Sequence, residues 1–311
     1  MPMLKTGTVI QSNGSNCIVA SDNQKYDCVI KGKLRQKGYN STNPVAVGDI
    51  VEFDISIEPA TIASIHERRN CIIRKSTNLS KQSHIIAANI DQAVFVFTMH
   101  HPETTTVFLD RFLVSAESYS IPTIIIFNKI DIYKPEEFDQ VAELMATYAE
   151  IGYKVLDVSV TKNHNIDAVR EILKDKVSLI SGQSGVGKTS IVNAVSGLNL
   201  KTASISESHE SGKHTTSFAQ MLPLDFGGYI IDTPGVRAFG LVELERNCIS
   251  HYFPEIFKTA ENCRFYNCTH TNEPGCAVKE AVENGEIAWS RYHSYTNIFF
   301  DEDEKHRRED Y

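Results

Sequence analysis

The stretch Gly182-Gln183-Ser184-Gly185-Val186-Gly187-Lys188-Thr189 fits the phosphate-binding pattern G-x-x-x-x-G-K-[ST] at every fixed position. Glycines let the backbone wrap around phosphates with successive N–H groups pointing inward. The start of the following helix, at Thr189 and Ser190, adds partial positive charge. Lys188 would reach the β- and γ-phosphates, and the Thr189 hydroxyl would bind Mg2+. This pattern specifies a nucleoside triphosphate but not its base. Asn128-Lys129-Ile130-Asp131 supplies the base. An Asp131 carboxylate accepts from guanine N1 and its exocyclic amine, and adenine has no matching pair of donors. Asn128 can bridge base and phosphate loop, while the Lys129 stem lies on the ring. Asp232-Thr233-Pro234-Gly235 is a third piece. Asp232 would hold a water on Mg2+, and the Gly235 N–H would meet the γ-phosphate and sense its loss. Lys213-His214-Thr215-Thr216 lies between the two, so either Thr215 or Thr216 could complete the Mg2+ shell.

Water activation is less direct. Val236 follows Gly235 where many GTPases carry a water-orienting glutamine, and an apolar side chain cannot orient water. His214 is the best substitute in cis, with His209 a lesser one; a surface-loop histidine is the alternative reading. A separate cluster, Cys263-x4-Cys268-x-His270-x5-Cys276, offers three thiolates and one imidazole, a tetrahedral Zn2+ set with no open position. The ion would therefore be structural, in place of a core that so short a module cannot build. Cys17, Cys28 and Cys71 are scattered and read as buried small residues, and Cys248 needs no role.

The motifs come in an unusual order: base reader, phosphate loop, then D-x-x-G. Ordinary small GTPases run phosphate loop, D-x-x-G, base reader, so the order reads as a circular permutation. The chain resembles the family of ribosome-small-subunit-dependent GTPase A (RsgA, YjeQ or EngC) over nearly its whole length. The string Gly212 to Thr216 matches the family's G-[KR]-H-T-T, to which its catalytic histidine belongs. The flanks Arg264-Phe265-Tyr266-Asn267 and Asn272-Glu273-Pro274-Gly275 match its zinc module. Ser159-Val160-Thr161 departs from the usual guanine-backing Ser-Ala-Lys and keeps only the serine, whose backbone would support guanine O6. Gly185 stands where some relatives place a K+-holding asparagine, so no K+ site is expected. The resemblance implies an oligonucleotide-binding barrel at the N-terminus. It also implies GTP hydrolysis to GDP on the small (30S) ribosomal subunit and its 16S rRNA late in subunit assembly.

The elements around these motifs follow from periodicity. Five short strands within 4–69 predict a small closed barrel. Its basic loop, Lys31, Lys33, Arg35 and Lys37, is read as an RNA contact, with a solvated loop as the alternative. Residues 66–90 read as a basic linker whose Arg68, Arg69, Arg74, Lys75 and Lys81 either touch rRNA or coat the linker. From about Ile85 a βαβα rhythm predicts an α/β domain with a mostly parallel sheet and helices on both faces. Its strands are expected over 91–99, 121–127, 155–159 and 177–180, and its helices over 104–118, 135–151, 166–173 and 191–195. Residues 197–214 read as a long switch loop, and 239–300 as a small, mainly helical module. The expected domains are therefore 1–70, 71–238 and 239–311. The sequence has 311 residues, a net charge of -8, 41% hydrophobic and 23% charged residues, as in a soluble globular protein. That charge leaves any RNA contact to local basic patches. No apolar run reaches membrane length, and the start lacks a signal-peptide core, so a cytoplasmic monomer without membrane or DNA partners is expected. An RNA-binding scaffold with a structural nucleotide site, or a ribosome-independent regulatory GTPase, is the competing reading.

Overall fold

The structure is a computed structural model that describes residues 2–13, 15–30, 44–75, 83–197, 200, 219–232 and 244–300. Five strands form the N-terminal barrel: β1 (Leu4–Ser12), β2 (Asn16–Ser21), β3 (Gln24–Ile30), β4 (Ile50–Asp54) and β5 (Ala60–Ile65). The ladder runs β1-β2-β3-β5-β4, and β4 pairs back to β1, so the ring closes. Only β3 with β5 is parallel. Alternating side chains from these strands fill the interior with Val9, Cys17, Val19, Cys28, Val51, Phe53 and Ile62, all buried.

The expected linker is partly a hairpin. β6 (Cys71–Lys75) pairs antiparallel with β7 (Ser83–Ala88). The barrel is fastened to it. Gly48 adopts φ +88°, and a Cβ there would meet the Ala88 carbonyl oxygen at 2.0 Å, so only glycine permits the approach. Two of the linker's basic residues are structural. Arg68 makes a two-pronged pair with the buried Asp49, at 2.6 and 2.7 Å. Arg69 pairs with Asp91 at 2.7 Å. The Arg74 and Lys75 side chains and Lys81 lie outside the described residues.

The α/β part contains β8 (Gln92–Phe97), α1 (Thr106–Ser118), β9 (Thr123–Asn128), α2 (Pro135–Ile151), β10 (Lys154–Val158), α3 (Ile166–Leu173), β11 (Val177–Ser181), α4 (Lys188–Ser196), β12 (Ala219–Pro223) and β13 (Tyr229–Asp232). The helix α2 begins and ends where its sequence signals stand, with Pro135 in its first turn, Glu137 accepting from the Lys134 N–H at 2.8 Å, and Gly152 left-handed at its end. The strands lie in the order β10-β9-β8-β11-β13-β12, parallel except for β12. Both faces are covered: α1 and α2 pack over Phe95, Phe97, Ile125 and Phe127, while α3 and α4 pack over Val94, Val96, Ile124 and Ile230. The edge strand β12 also pairs antiparallel with β1 of the barrel, through Gln11 opposite Gln220 and Ser12 opposite Ala219. Barrel and α/β part thus share one eleven-stranded sheet.

The C-terminal module has a 3-10 turn at Arg246–Tyr252, then α5 (Pro254–Ala260), α6 (Ala277–Glu283) and α7 (Trp289–Phe300). The spacing from Leu241 to Ile249 suggests a helix, but the described part of this stretch leads into the 3-10 turn instead, and 241–243 lie outside the described residues. The module's core includes Phe253, Ile256, Val278, Tyr295 and Ile298, together with Val114 of α1. Arg291 is fully buried at this junction. It donates to Asp110 of α1 and, through Nε, to Glu255 of α5 at 2.7 Å, while the Tyr148 hydroxyl of α2 donates to Asp110 at 2.8 Å. Among the described residues no helix is long and apolar enough to cross a membrane.

Candidate functional site

Parallel strands bring their carboxyl ends to one edge, and the motifs stand on that edge. Strand order reverses between β8 and β11, because β8, β9 and β10 run outward before the chain returns to β11. A crevice at such a reversal is where open α/β sheets bind ligands. The loop 182–187 leaves β11 at that point. Its crest, Gln183, Ser184 and Gly185, is exposed, and Val186 is buried beneath it. Gly182, Gly185 and Gly187 have φ of +137°, +83° and +100°. A Cβ on Gly182 would meet the Val96 carbonyl oxygen at 2.4 Å, and one on Gly187 would meet Asn128 Nδ2 at 2.4 Å. The helix α4 begins directly after, with Gly187 as its cap. Lys188 and Thr189 are buried in its first turn, and Ser190 is half-buried. Lys188 Nζ folds back onto the Gly182 and Gln183 carbonyls at 2.8 and 2.7 Å, so its ammonium lies inside the loop that phosphates would fill.

Asn128 and Lys129 hold this loop from the end of β9, which β8 separates from β11. Asn128 Nδ2 donates to the Val186 carbonyl at 2.8 Å. Its Oδ1 is buried with no partner, an acceptor reserved for something absent from the chain. Lys129 Nζ donates to the Gly185 carbonyl at 2.7 Å and to that of His101 at 2.5 Å. Burial lowers its pKa against the opposing pull of Asp131. Asp131 is exposed. Its carboxylate accepts from Ser159 Oγ at 2.5 Å and from Thr161 Oγ1 at 2.7 Å. Those two hydrogen bonds, Ser159's the larger, hold its pKa below the usual carboxylate value. Sequence comparison undervalued Ser159-Val160-Thr161. Thr161, absent from the expected residues, fixes the second oxygen of Asp131, and only its position two residues after Ser159 hinted at this. The arrangement presents a fixed carboxylate beside a glycine loop that leads into a helix N-terminus, the features that a guanine base and its phosphates require.

Asp232 ends β13 on the same edge, paired with Gln220, but its side chain lies outside the described residues. So do His209, His214, Thr215, Thr216, Gly235 and Val236, which the sequence assigns to the phosphates and water, and Lys31, Lys33, Arg35 and Lys37 of the basic loop.

The cysteine cluster forms a second site. One ligand atom each from Cys263, Cys268, His270 and Cys276 lies within 4.8 Å of the others. His270 Nδ1 is 3.6 Å from both the Cys263 and Cys276 sulfurs, and those sulfurs are 4.0 Å apart. A tetrahedron with Zn–S bonds of about 2.3 Å has edges near 3.8 Å, so the donor set fits zinc. Burial lowers the His270 pKa, which favours the neutral, ligating imidazole. Burial raises the Cys276 thiol and pushes Cys268 up to about 12, a cost that a bound cation reverses. The surrounding loop is held by Glu273. Burial opposes its charge, but hydrogen bonds from the Thr269 hydroxyl and backbone bring its pKa down to about 2. Tyr292 and Tyr295 of α7 donate to the His270 and Thr269 carbonyls at 2.8 and 2.6 Å. Tyr292 and Tyr295 share α7 with Arg291 and so tie the metal loop to the helix that meets α1.

Comparison with known proteins agrees along the whole chain. The RsgA GTPase domain family matches residues 65–242, and the RsgA N-terminal domain family matches 6–61. The small ribosomal subunit biogenesis GTPase RsgA of Bacteroides fragilis (strain YCH46) is 51% identical over 301 residues, covering 96% of this chain and 97% of that protein. Its namesake in Flavobacterium johnsoniae is 51% identical over 311 residues, covering 98% and 95%. Among solved structures, YjeQ from Thermotoga maritima superposes with a TM-score of 0.79 at 34% identity, covering 96% of this chain and 98% of that one. YloQ, described as a circularly permuted GTPase, gives 0.74 at 29% identity, covering 96% and 94%.

Proposed function

The chain belongs to the RsgA GTPase family, and from that premise we propose that it hydrolyses GTP to GDP while bound to the small ribosomal subunit, as a late assembly factor. One observation carries the reading of the pocket. Asn128, from a motif 58 residues before Val186, donates to the phosphate loop and keeps a buried acceptor free. Base reader and phosphate loop are therefore one built site, although chain order separates them in an unusual way. Asp131 selects guanine, oriented by Ser159 and Thr161. Lys188 exchanges the Gly182 and Gln183 carbonyls for phosphate oxygens when nucleotide enters. Thr189, one of Thr215 and Thr216, and Asp232 through water would hold Mg2+, which neutralises phosphate charge.

His214 positions the attacking water, and the Gly235 N–H reports the γ-phosphate. The barrel, with Lys31, Lys33, Arg35 and Lys37, and the C-terminal module contact 16S rRNA. A structural Zn2+ at Cys263, Cys268, His270 and Cys276 holds that module. Divisions near residues 70 and 238 separate barrel, GTPase and zinc module in a monomer that works in the cytoplasm.

Hydrolysis measured with and without purified small subunits, with ATP as control, tests the reading. A steep rise with subunits and GTP alone supports it. An unchanged rate overturns it. His214→Ala distinguishes a scaffold, for which hydrolysis would not change. The hold of Thr161 on Asp131 supports a working guanine site despite the departure from Ser-Ala-Lys at 159–161.

A further inference from the structure

Two cysteines of the barrel lie outside both sites. Cys17 on β2 and Cys28 on β3 are direct antiparallel partners. Both face the barrel interior, 3% and 1% exposed, and both are free thiols. The Cys17 thiol donates to the Cys28 carbonyl at 3.7 Å. Directly opposed residues on antiparallel strands have Cα atoms about 4.5 or 5.5 Å apart, depending on the pair type. A disulfide needs about 4.4–6.8 Å, so either pair type closes without moving the backbone. Both residues also border a cavity of about 280 Å³, lined too by Asn13, Asn16, Asp27 and Pro59. A water occupies roughly 30 Å³ of the liquid, and a hydroperoxide is not much larger.

We infer that Cys17 and Cys28 are an oxidisable dithiol, which a hydroperoxide closes into an intramolecular disulfide. Cys17 is the donor of the pair, directed at the Cys28 carbonyl, and its hydrogen bonding lowers the Cys28 pKa, so Cys28 is the attacking thiolate. Its sulfur bonds to one peroxide oxygen and the O–O bond breaks. The departing hydroxide takes a proton from solvent, leaving water and a Cys28 sulfenic acid. The Cys17 sulfur then attacks the Cys28 sulfur. The S–O bond breaks, and the hydroxyl leaves as water with the Cys17 proton. Two electrons pass from the sulfurs to the peroxide, and a dithiol reductant reverses the change.

The test uses the full-length, zinc-loaded protein exposed to graded hydrogen peroxide, followed by tryptic mapping without reduction. Cleavage at Lys5, Lys25 and Lys31 separates the two cysteines into the peptides 6–25 and 26–31. The expected result is these two peptides joined, lighter by two hydrogens than their sum, as their major form. Dithiothreitol should separate them. In Cys17→Ser the linked species should vanish, and a sulfenic acid at Cys28 should be trapped by dimedone. Recovery of both peptides unlinked and unmodified, at peroxide doses that oxidise Cys71 or Cys248, overturns the inference. So does cross-linking of Cys17 to any cysteine other than Cys28.

Discussion

Replacing Arg291 by methionine should uncouple the zinc module from the GTPase in a manner that depends on pH. Arg291 and Asp110 are both wholly buried, and Asp110 otherwise accepts from Tyr148. Methionine keeps most of the volume and removes the charge. Removing one partner of a buried pair costs about 3–5 kcal/mol, because the other charge is left uncompensated. Burial already pushes the Asp110 pKa above the usual carboxylate range, and Arg291 is the foremost influence pulling it back. Without Arg291 the folded-state pKa rises further. The folded variant then binds this proton more tightly than the unfolded chain does, so its stability falls as pH rises. The deficit attributable to Asp110 should be small near pH 4 and grow by about 1.4 kcal/mol per unit. It should level off when the lost 3–5 kcal/mol is reached, between about pH 6 and pH 7.5. Trp289 is the single tryptophan of the chain and lies two residues before Arg291, so its fluorescence reports this module. Urea unfolding of wild type, Arg291→Met and Asp110→Asn/Arg291→Met, measured from pH 4 to 8, gives the three profiles. The double variant, which has no titrating group at position 110, should lose the steep decline with pH that Arg291→Met shows. A loss below about 1 kcal/mol, as for a surface pair, or a loss independent of pH, would refute the reasoning.

Asp131→Asn turns an acceptor toward guanine into a donor; at about 1–3 kcal/mol for the unpaired groups, GDP affinity by calorimetry should fall roughly 5- to 150-fold. Thr161→Val removes one hydrogen bond to that carboxylate and should weaken GDP by about 2- to 12-fold, from about 0.5–1.5 kcal/mol. Because the Asp131 pKa is depressed from 3.8, the carboxylate stays charged, and between pH 7 and pH 5 Asp131→Asn should weaken GDP by the same factor at every pH, the titration of the GDP phosphate at about pH 6 being common to both proteins. Elemental analysis should find one zinc per chain, and His270→Ala should lose it, with Trp289 fluorescence then showing no cooperative transition for the module.

What could be read in advance was whatever a short stretch decides for itself. The phosphate loop needs glycines at fixed local spacing, and α2 carries its own start and stop in Pro135, Glu137 and Gly152. Contacts made across long separations left no local trace. Asp110 and Arg291 are 181 residues apart, and each alone reads as a solvated helix charge. Arg68 reads in sequence as either an rRNA contact or a coat on the linker, and the fold instead sets it against the buried Asp49. The hairpin of β6 and β7 was hidden by basic residues that resemble a linker. Thr161 was discounted because the comparison was with a lysine, although a hydroxyl serves a carboxylate at that distance as well.

The pairing of β12 with β1 has a mechanical consequence. On one side β12 is laced to β13, whose end begins D-x-x-G, and on the other to the first strand of the barrel. It also follows the segment that carries Thr215 and Thr216 in sequence. Any twist that a departing phosphate imposes on this ribbon must either tilt the barrel as a lever or tear the rungs at Gln11 and Ser12. Nucleotide pocket and barrel are one woven fabric, so a tug on either is felt at the other without a messenger.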